Sequence, residues 1–304
     1  MSQPIWGIDL GGTKIEGVIL RSTTDANPIL RQRIDTEGHL GYTHVLNQIN
    51  TLVSDMIAKT GLQPAAIGFG TPGVLDPLLQ TMKNCNSTSL NGKPLHKDLE
   101  TLLRVPVRLA NDANCFALAE SHWGAGRQFP GARVVFGIIL GTGVGGGIVC
   151  DGKIWAGRHG IGGEWGHNYL DSSGGPCYCG KSGCVETVLS GPGLEKFYQA
   201  ISGRKKSLKE IVALAGAGLD TDAQKTLVRL HDQFGRALSV ITNILDPDLI
   251  IIGGGVGNID SLYTKGVQAL RHYIFNNRLD VPVVKPTLGD SAGVFGAAAL
   301  VDGV

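Results

Sequence analysis

The stretch G-I-D-L-G-G-T-K-I-E-G-V-I-L, from Gly7 to Leu20, reads as strand, glycine turn, strand. Ile5 to Leu10 is a short apolar strand, Gly11-Gly12-Thr13-Lys14 is the turn, and Ile15 to Leu20 is a second strand. The order decides the fold. A Walker phosphate loop or a dinucleotide fingerprint needs a helix directly after its glycines, and E-G-V-I-L is a poor helix start. A hairpin turn still offers successive backbone N–H groups as an anion-binding concavity, although an ordinary hairpin has the same pattern. Asp9 stands at the edge of the turn. A carboxylate beside phosphates needs a cation between them, and Mg²⁺ held by one carboxylate, phosphate oxygens and waters is the usual arrangement.

The theme recurs further along. Val134 to Leu140 is a strand, Gly141-Thr142-Gly143 a turn, and Gly145 to Cys150 another strand. Asp151-Gly152 then turns into Lys153-Ile154-Trp155. Two such hairpins, each with Gly and Thr at the bend, point to two related halves facing one phosphate chain. A third glycine loop, Gly253-Gly254-Gly255, ends the buried strand Leu249 to Ile252 and suits the close approach of a flat ring or a backbone.

Around these loops, periodicity outlines the remaining elements. Tyr42 to Lys59 has the apolar spacing of a helix that packs one face on a sheet. Ala65 to Phe69 is a strand, followed by the turn Gly70-Thr71-Pro72-Gly73 and the polar segment 83–88, whose uncharged amides and hydroxyls suit a neutral polyol as well as any loop. Val105 to Ala110 is a strand and Ala113 to His122 a helix, with Asn111 and Asp112 at the junction. Asp before a helix is a favoured N-cap. The same carboxylate, at the carboxyl end of a strand where α/β sheets bind ligands, can also take a proton from a substrate hydroxyl. Helices are expected over 194–201, 208–214 and, with Leu227, Leu230, Phe234, Leu238, Ile241 and Leu245 on one face, up to the stop at Asp246-Pro247. A helix from about Ser261, a strand over 281–285 and a small-residue helix over 292–301 follow.

Between Gly162 and Glu186 lies G-G-E-W-G-H-N-Y-L-D-S-S-G-G-P-C-Y-C-G-K-S-G-C-V-E. His167, Cys177, Cys179 and Cys184 offer one imidazole and three thiolates within eighteen residues, a set that suits a closed, tetrahedral, structural zinc. Buried thiols or a disulfide are the alternatives, but three cysteines in eight residues leave one unpaired in any local scheme. Glu164 and Glu186 bracket the cluster.

Composition narrows the function classes. A chain of 304 residues can hold two domains and stand without disulfides. A net charge of +1 with 17% charged residues, and no basic run beyond Arg204-Lys205-Lys206, argues against nucleic acid or an anionic membrane as partner. The six cysteines fit no disulfide framework and the N-terminus lacks a secretory pattern, so a reducing, cytoplasmic setting is expected.

With these residues in hand, the sequence resembles the ROK family of sugar kinases and regulators, in the actin-like and hexokinase-like ATPase superfamily. G-I-D-L-G-G-T-K at 7–14 looks like the family's first phosphate loop and L-G-T-G-V-G-G-G at 140–147 its second. G-E-W-G-H with C-Y-C-G-K-S-G-C-V-E is similar to its zinc signature, and I-I-I-G-G-G to its adenosine loop. The resemblance implies an α/β fold of two domains with a cleft between them and a zinc-binding loop. A small N-terminal domain would span 1–118, completed by a C-terminal helix at 292–304, and a large domain 119–291. It implies Asp112 as the general base. Asp9, Gly11, Gly12, Thr13, Lys14, Gly141, Thr142, Gly143, Gly145, Gly254 and Gly255 would serve ATP and Mg²⁺. Gly73, Asn86, Asn111, Asp112, Glu164, His167 and Glu186 would meet the sugar, with His167 offering its second ring nitrogen. His167, Cys177, Cys179 and Cys184 would hold structural zinc. The expected activity is ATP-dependent phosphorylation of a primary hydroxyl of a hexose. The segment 84–95 and the zinc loop look most like the fructokinase and mannokinase group, which points to fructose; mannose, glucose and N-acetylglucosamine are the alternatives. A homodimer is expected. A sugar-responsive repressor is disfavoured, since the first strand begins near Met1 and leaves no room for a helix-turn-helix.

Overall fold

The computed structural model describes residues 3–301. The chain opens with β1 (Ile5–Leu10), β2 (Lys14–Leu20) and β3 (Pro28–Asp35), an antiparallel meander. Helix α1 (Tyr42–Thr60) precedes β4 (Ile67–Thr71), and a two-stranded ribbon follows, β5 (Val74–Leu75) with β6 (Met82–Lys83). Then come α2 (Leu95–Leu103), β7 (Val107–Asn111) and α3 (Asp112–His122). The first sheet has the order β3-β2-β1-β4-β7, with β1, β4 and β7 parallel.

The second sheet begins with β8 (Val134–Leu140), β9 (Val144–Cys150) and β10 (Lys153–Ile154). Helices α4 (Val185–Leu189), α5 (Gly191–Ser202), α6 (Leu208–Gly216) and α7 (Thr221–Leu245) follow. After them run β11 (Leu249–Gly253), the short α8 (Gly254–Gly257), α9 (Lys265–Tyr273), β12 (Val283–Val284) and α10 (Ala292–Ala299). The order β10-β9-β8-β11-β12 repeats the plan of the first sheet, with the opening strand central and its parallel partners on one side. Strand β3 and helix α2 are not anticipated from sequence. The edge strand β3 buries none of its residues fully, so its apolar signal is weak.

The chain divides into two compact units. One takes the described residues up to Arg127, then Gly147–Gly162, and those from Thr287; the other takes Gln128–Gly146 and Gly163–Pro286. From sequence the division falls at 118/119 and 291/292, with 147–162 in the larger part. The C-terminal helix expected over 292–304 runs over Ala292–Ala299, and 302–304 lie outside the described residues.

In the first unit, strand alternation sends neighbouring side chains to opposite faces. Trp6, Ile8, Leu10, Ile15 and Ile19 share a core with Val45, Ile49, Leu52, Val53 and Met56 of α1, each side chain worth ~1.5–3 kcal/mol when fully buried. Ile5, Val18 and Leu20 point the other way, to Val294 and Ala298 of α10. That helix is built of small residues because backbones meet there: a Cβ at Gly68 would fall 1.8 Å from the Ala297 carbonyl oxygen, and one at Gly296 1.8 Å from that of Cys115 on α3. Asp9 continues the row of Ile5 and Gly7, so the strand period itself aims its carboxylate at the first turn of α10. In the second unit, Asp220 caps α7 by accepting from the Asp222 and Ala223 amides, and the fully buried Tyr198 donates to it at 2.7 Å. Among the described residues no helix is long and apolar enough to cross a membrane.

Candidate active site

The first glycine turn is tied at both ends. The Gly11 amide donates to the Lys14 carbonyl at 3.0 Å, the Thr36 hydroxyl to the Gly11 carbonyl at 2.7 Å, and the Thr36 amide to the Thr13 carbonyl at 2.8 Å. Gly12, Thr13 and Lys14 are exposed, so the surface of the turn is open to a ligand. Asp9 lies between two glycines. A Cβ at Gly293 would sit 2.9 Å from its Oδ2, and one at Gly70 3.2 Å from its Oδ1. Burial first, then the carboxylates of Asp112 and Glu16, push the Asp9 carboxyl up to about 7, against the opposing pull of Arg33. Glu16 itself is paired with Arg31 and with Arg33, the latter at 2.8 Å.

Asp112 is the first residue of α3, and the helix cap expected at that position belongs to Asn111. The Asn111 side chain accepts from the Asn114 amide at 2.8 Å. Asp112 Oδ1 accepts instead from the Ala113 amide at 2.8 Å. Its side chain reaches solvent but is hemmed in by protein, and this desolvation raises the carboxyl above the usual range while the Ala113 and Asp112 amides work against it. The buried Cys115 thiol, one turn on, is pushed up by burial and then by Asp9 and Asp112. The unit thus brings Asp9 and Asp112 into one electrostatic cluster. Gly73 is buried and has a packing task, since a Cβ there would meet Cys85 Sγ at 2.5 Å; Asn86 is exposed, its amide donating to the Pro72 carbonyl at 3.3 Å.

The second unit holds the second turn. Gly141 donates to the Gly143 carbonyl at 2.9 Å and accepts from the Gly191 amide at 2.9 Å. Glu186, in the first turn of α4, accepts from the Val144 amide at 2.9 Å, and a Cβ at Gly143 would lie 2.7 Å from the same oxygen. Thr142 is exposed beside them, while the Gly145 carbonyl receives the Trp165 indole N–H at 3.4 Å. At the third loop, Gly254 has φ +84, and a Cβ would fall 2.3 Å from the Leu140 carbonyl oxygen, so both conformation and contact demand glycine there. Nothing lies within 4 Å of the Cβ position of Gly255.

Glu164 precedes the helical turn Trp165–His167, and Trp165 anchors that turn edge-on to Phe136 of β8. His167, Cys177, Cys179 and Cys184 then converge, with ligand atoms all within 4.8 Å of one another. Cys179 and Cys184 sulfurs are 3.7 Å apart, far beyond a disulfide bond, and Cys177 Sγ lies 3.6 Å from His167 Nδ1. Tetrahedral zinc, about 2.3 Å from sulfur and 2.0–2.1 Å from nitrogen, would set such pairs about 3.8 and 3.6 Å apart. The residues therefore fit the ion. Burial and the neighbouring sulfurs push the Cys184 thiol up to about 12, so a cation is what would let three thiolates coexist.

A model of the ROK family matches residues 5–304. The chain belongs to the ROK family. Over 97% of its length it is 37% identical to an N-acetyl-D-glucosamine kinase of Histophilus somni (strain 129Pt), covering 98% of that protein. A second N-acetyl-D-glucosamine kinase, of Pasteurella multocida (strain Pm70), is 36% identical over the same shares. Among solved structures, a ROK hexokinase from Thermus thermophilus superposes with a TM-score of 0.86 at 30% identity, with 98% of this chain and 97% of that one covered. The α/β ROK fold with its two sheets is thereby established.

Sequence reasoning passes over two residues of this ROK protein, one inside the cysteine cluster and one buried on α3. Tyr178, between two cysteines of the cluster, has its hydroxyl 3.0 Å from His167 Nε2, the nitrogen expected to face a sugar. Only its place inside C-Y-C could have flagged it. Glu120 is a fully buried acid on α3 that receives backbone N–H groups from Ala125, Thr287 and Leu288. A lone acid followed by Gly124-Ala125-Gly126 was its only local sign.

Proposed function

We propose that this ROK protein is an ATP-dependent sugar kinase that phosphorylates a primary hydroxyl of N-acetylglucosamine. The observation that carries the reading is the pairing of Asp112 and Asp9, two carboxyls held above their ordinary range in one cluster, in a chain aligned almost end to end with sugar kinases. N-acetylglucosamine is preferred here to fructose, the substrate expected from the segment 84–95 and the zinc loop, because the two relatives at 37% and 36% identity bear the name of the amino-sugar kinase.

In this reading Asp112 takes the proton from the attacking hydroxyl. Burial raises its affinity for a proton above that of an ordinary carboxylate, which suits a group that must take one from a hydroxyl. Asn111, Gly73, Asn86, Glu164, His167 and Glu186 orient the sugar. The turns Gly11–Lys14 and Gly141–Gly143, with Gly145, present backbone donors to the phosphates of ATP, and Gly254 and Gly255 leave room for its adenosine. Asp9 would hold Mg²⁺, which when bound offsets the charge developing on the phosphoryl group. Zinc would be structural.

Steady-state ADP release with MgATP tests this. Asp112→Asn should keep sugar affinity and lose ~10² to 10⁴ in kcat. A variant retaining more than half the wild-type kcat ends the assignment of the base. Across N-acetylglucosamine, glucose, mannose and fructose, kcat/KM should be highest for the first; a maximum at fructose would overturn the substrate.

A further inference from the structure

The hydroxyl of Tyr178 occupies the position on His167 where direct contact with a sugar is expected, and the two rings meet edge-on at 5.1 Å and 89°. His167 turns Nδ1 toward Cys177 Sγ and the rest of the cluster. Nδ1 must be unprotonated to bind a metal; with the cluster loaded the ring's proton would therefore reside on Nε2, and Nε2–H would donate to Tyr178 Oη, 3.0 Å away. The phenol oxygen thus accepts, and its own proton remains available for a further acceptor. Tyr178 is 71% exposed, so its side chain stands open to solvent and to a ligand. Flanked by Cys177 and Cys179, its backbone is fixed by the same cluster that fixes the imidazole.

We propose that Tyr178 is a substrate-positioning residue: its hydroxyl passes the hydrogen bond of His167 on to a sugar oxygen. A single N–H cannot serve two acceptors well, so with Tyr178 in place His167 orients the sugar through the phenol O–H. The acceptor chemistry that fits is a neutral oxygen, a ring hydroxyl or an amide carbonyl. The inference rests on the sugar-kinase reading above.

The test is Tyr178→Phe, which keeps the edge-on ring contact and removes only the hydroxyl. Calorimetry should show sugar Kd rising about five- to tenfold, the ordinary weight of one hydrogen bond, and kinetics should show KM for sugar rising with it. Zinc content and KM for ATP should match wild type. Analogues of N-acetylglucosamine, each lacking one oxygen, should bind wild type and variant alike when the missing oxygen is the partner of Tyr178. Unchanged Kd, tighter binding by the variant, or an equal penalty with every analogue would overturn the proposal. Wild-type protein that binds and phosphorylates no sugar would instead overturn the function it rests on.

Discussion

Replacing Glu120 with glutamine should destabilise the first unit by about 2–4 kcal/mol. The side chain is fully buried. One carboxylate oxygen receives Leu288 N at 2.8 Å, the other Ala125 N at 2.9 Å, and Thr287 N lies 3.0–3.1 Å from both. No lysine or arginine is paired with it among the described residues, so backbone dipoles alone solvate the group. Gly124 permits this closeness, since a Cβ there would fall 2.0 Å from the carboxylate. Glutamine keeps the shape but has one accepting oxygen, and its NH₂ group would face N–H donors. At least one buried donor then loses its partner at about 1–3 kcal/mol, and the donor-to-donor contact adds to that, giving an expected loss of about 2–4 kcal/mol.

At roughly 2–4 °C per kcal/mol for chains of this order of size, the melting temperature should fall by about 5–15 °C. Asp55→Asn, on the exposed face of α1, is the control and should stay within about 0.5 kcal/mol. Hydrogen exchange localises the effect: the amides of Ala125, Thr287 and Leu288 should lose protection in the Glu120 variant before those of β8 do. A variant melting within about 1 °C of wild type, or one with those three amides still protected, would refute the account of Glu120 as their acceptor.

Two further perturbations follow from the site. The Asp9 carboxyl is raised from 3.8 to about 7, so in magnesium-free buffer it contributes stability that is complete below about pH 4 and is lost as pH climbs to 7; relative to Asp9→Asn, wild type should weaken progressively over that window, and a difference of opposite slope in thermal melts would refute the burial argument. Cys184→Ser should abolish metal binding, shown by elemental analysis, and lower affinity for both sugar and nucleotide in calorimetry, since Glu186 depends on the same loop; a metal-free sample with wild-type affinity for a non-hydrolysable ATP analogue would break that link.

What sequence conveys here is what short range encodes. The strand-turn-strand units at Gly11 and Gly141, the long helix ending at Asp246 and the convergence of His167 with three cysteines all follow from periodicity, turn residues or ligand spacing within a few tens of residues. The cap of α3 is a case where local reasoning is off by one: Asn111 and Asp112 are both competent caps, and only the strand geometry of β7 decides that Asn111 turns its oxygen to the Asn114 amide, leaving Asp112 to face outward. Glu120 is out of reach for a different reason. Its partners at 287 and 288 lie 167 and 168 positions away, and a side chain accepting backbone N–H groups leaves no signature in the identity of the donors. Glu186 joins the two kinds of information. Its place two residues after Cys184 is plain in the sequence, but its bond to the Val144 amide is not, and that bond makes the cysteine loop and the second glycine turn one mechanical piece. Cys184 is the N-cap residue of α4, Glu186 stands in that helix's first turn, and the Gly191 amide at the start of α5 holds the Gly141 carbonyl. A cation that fixes Cys184 therefore fixes both ends of the turn from Gly141 to Val144, and a loop that from sequence concerns only the sugar also sets the backbone donors proposed for ATP.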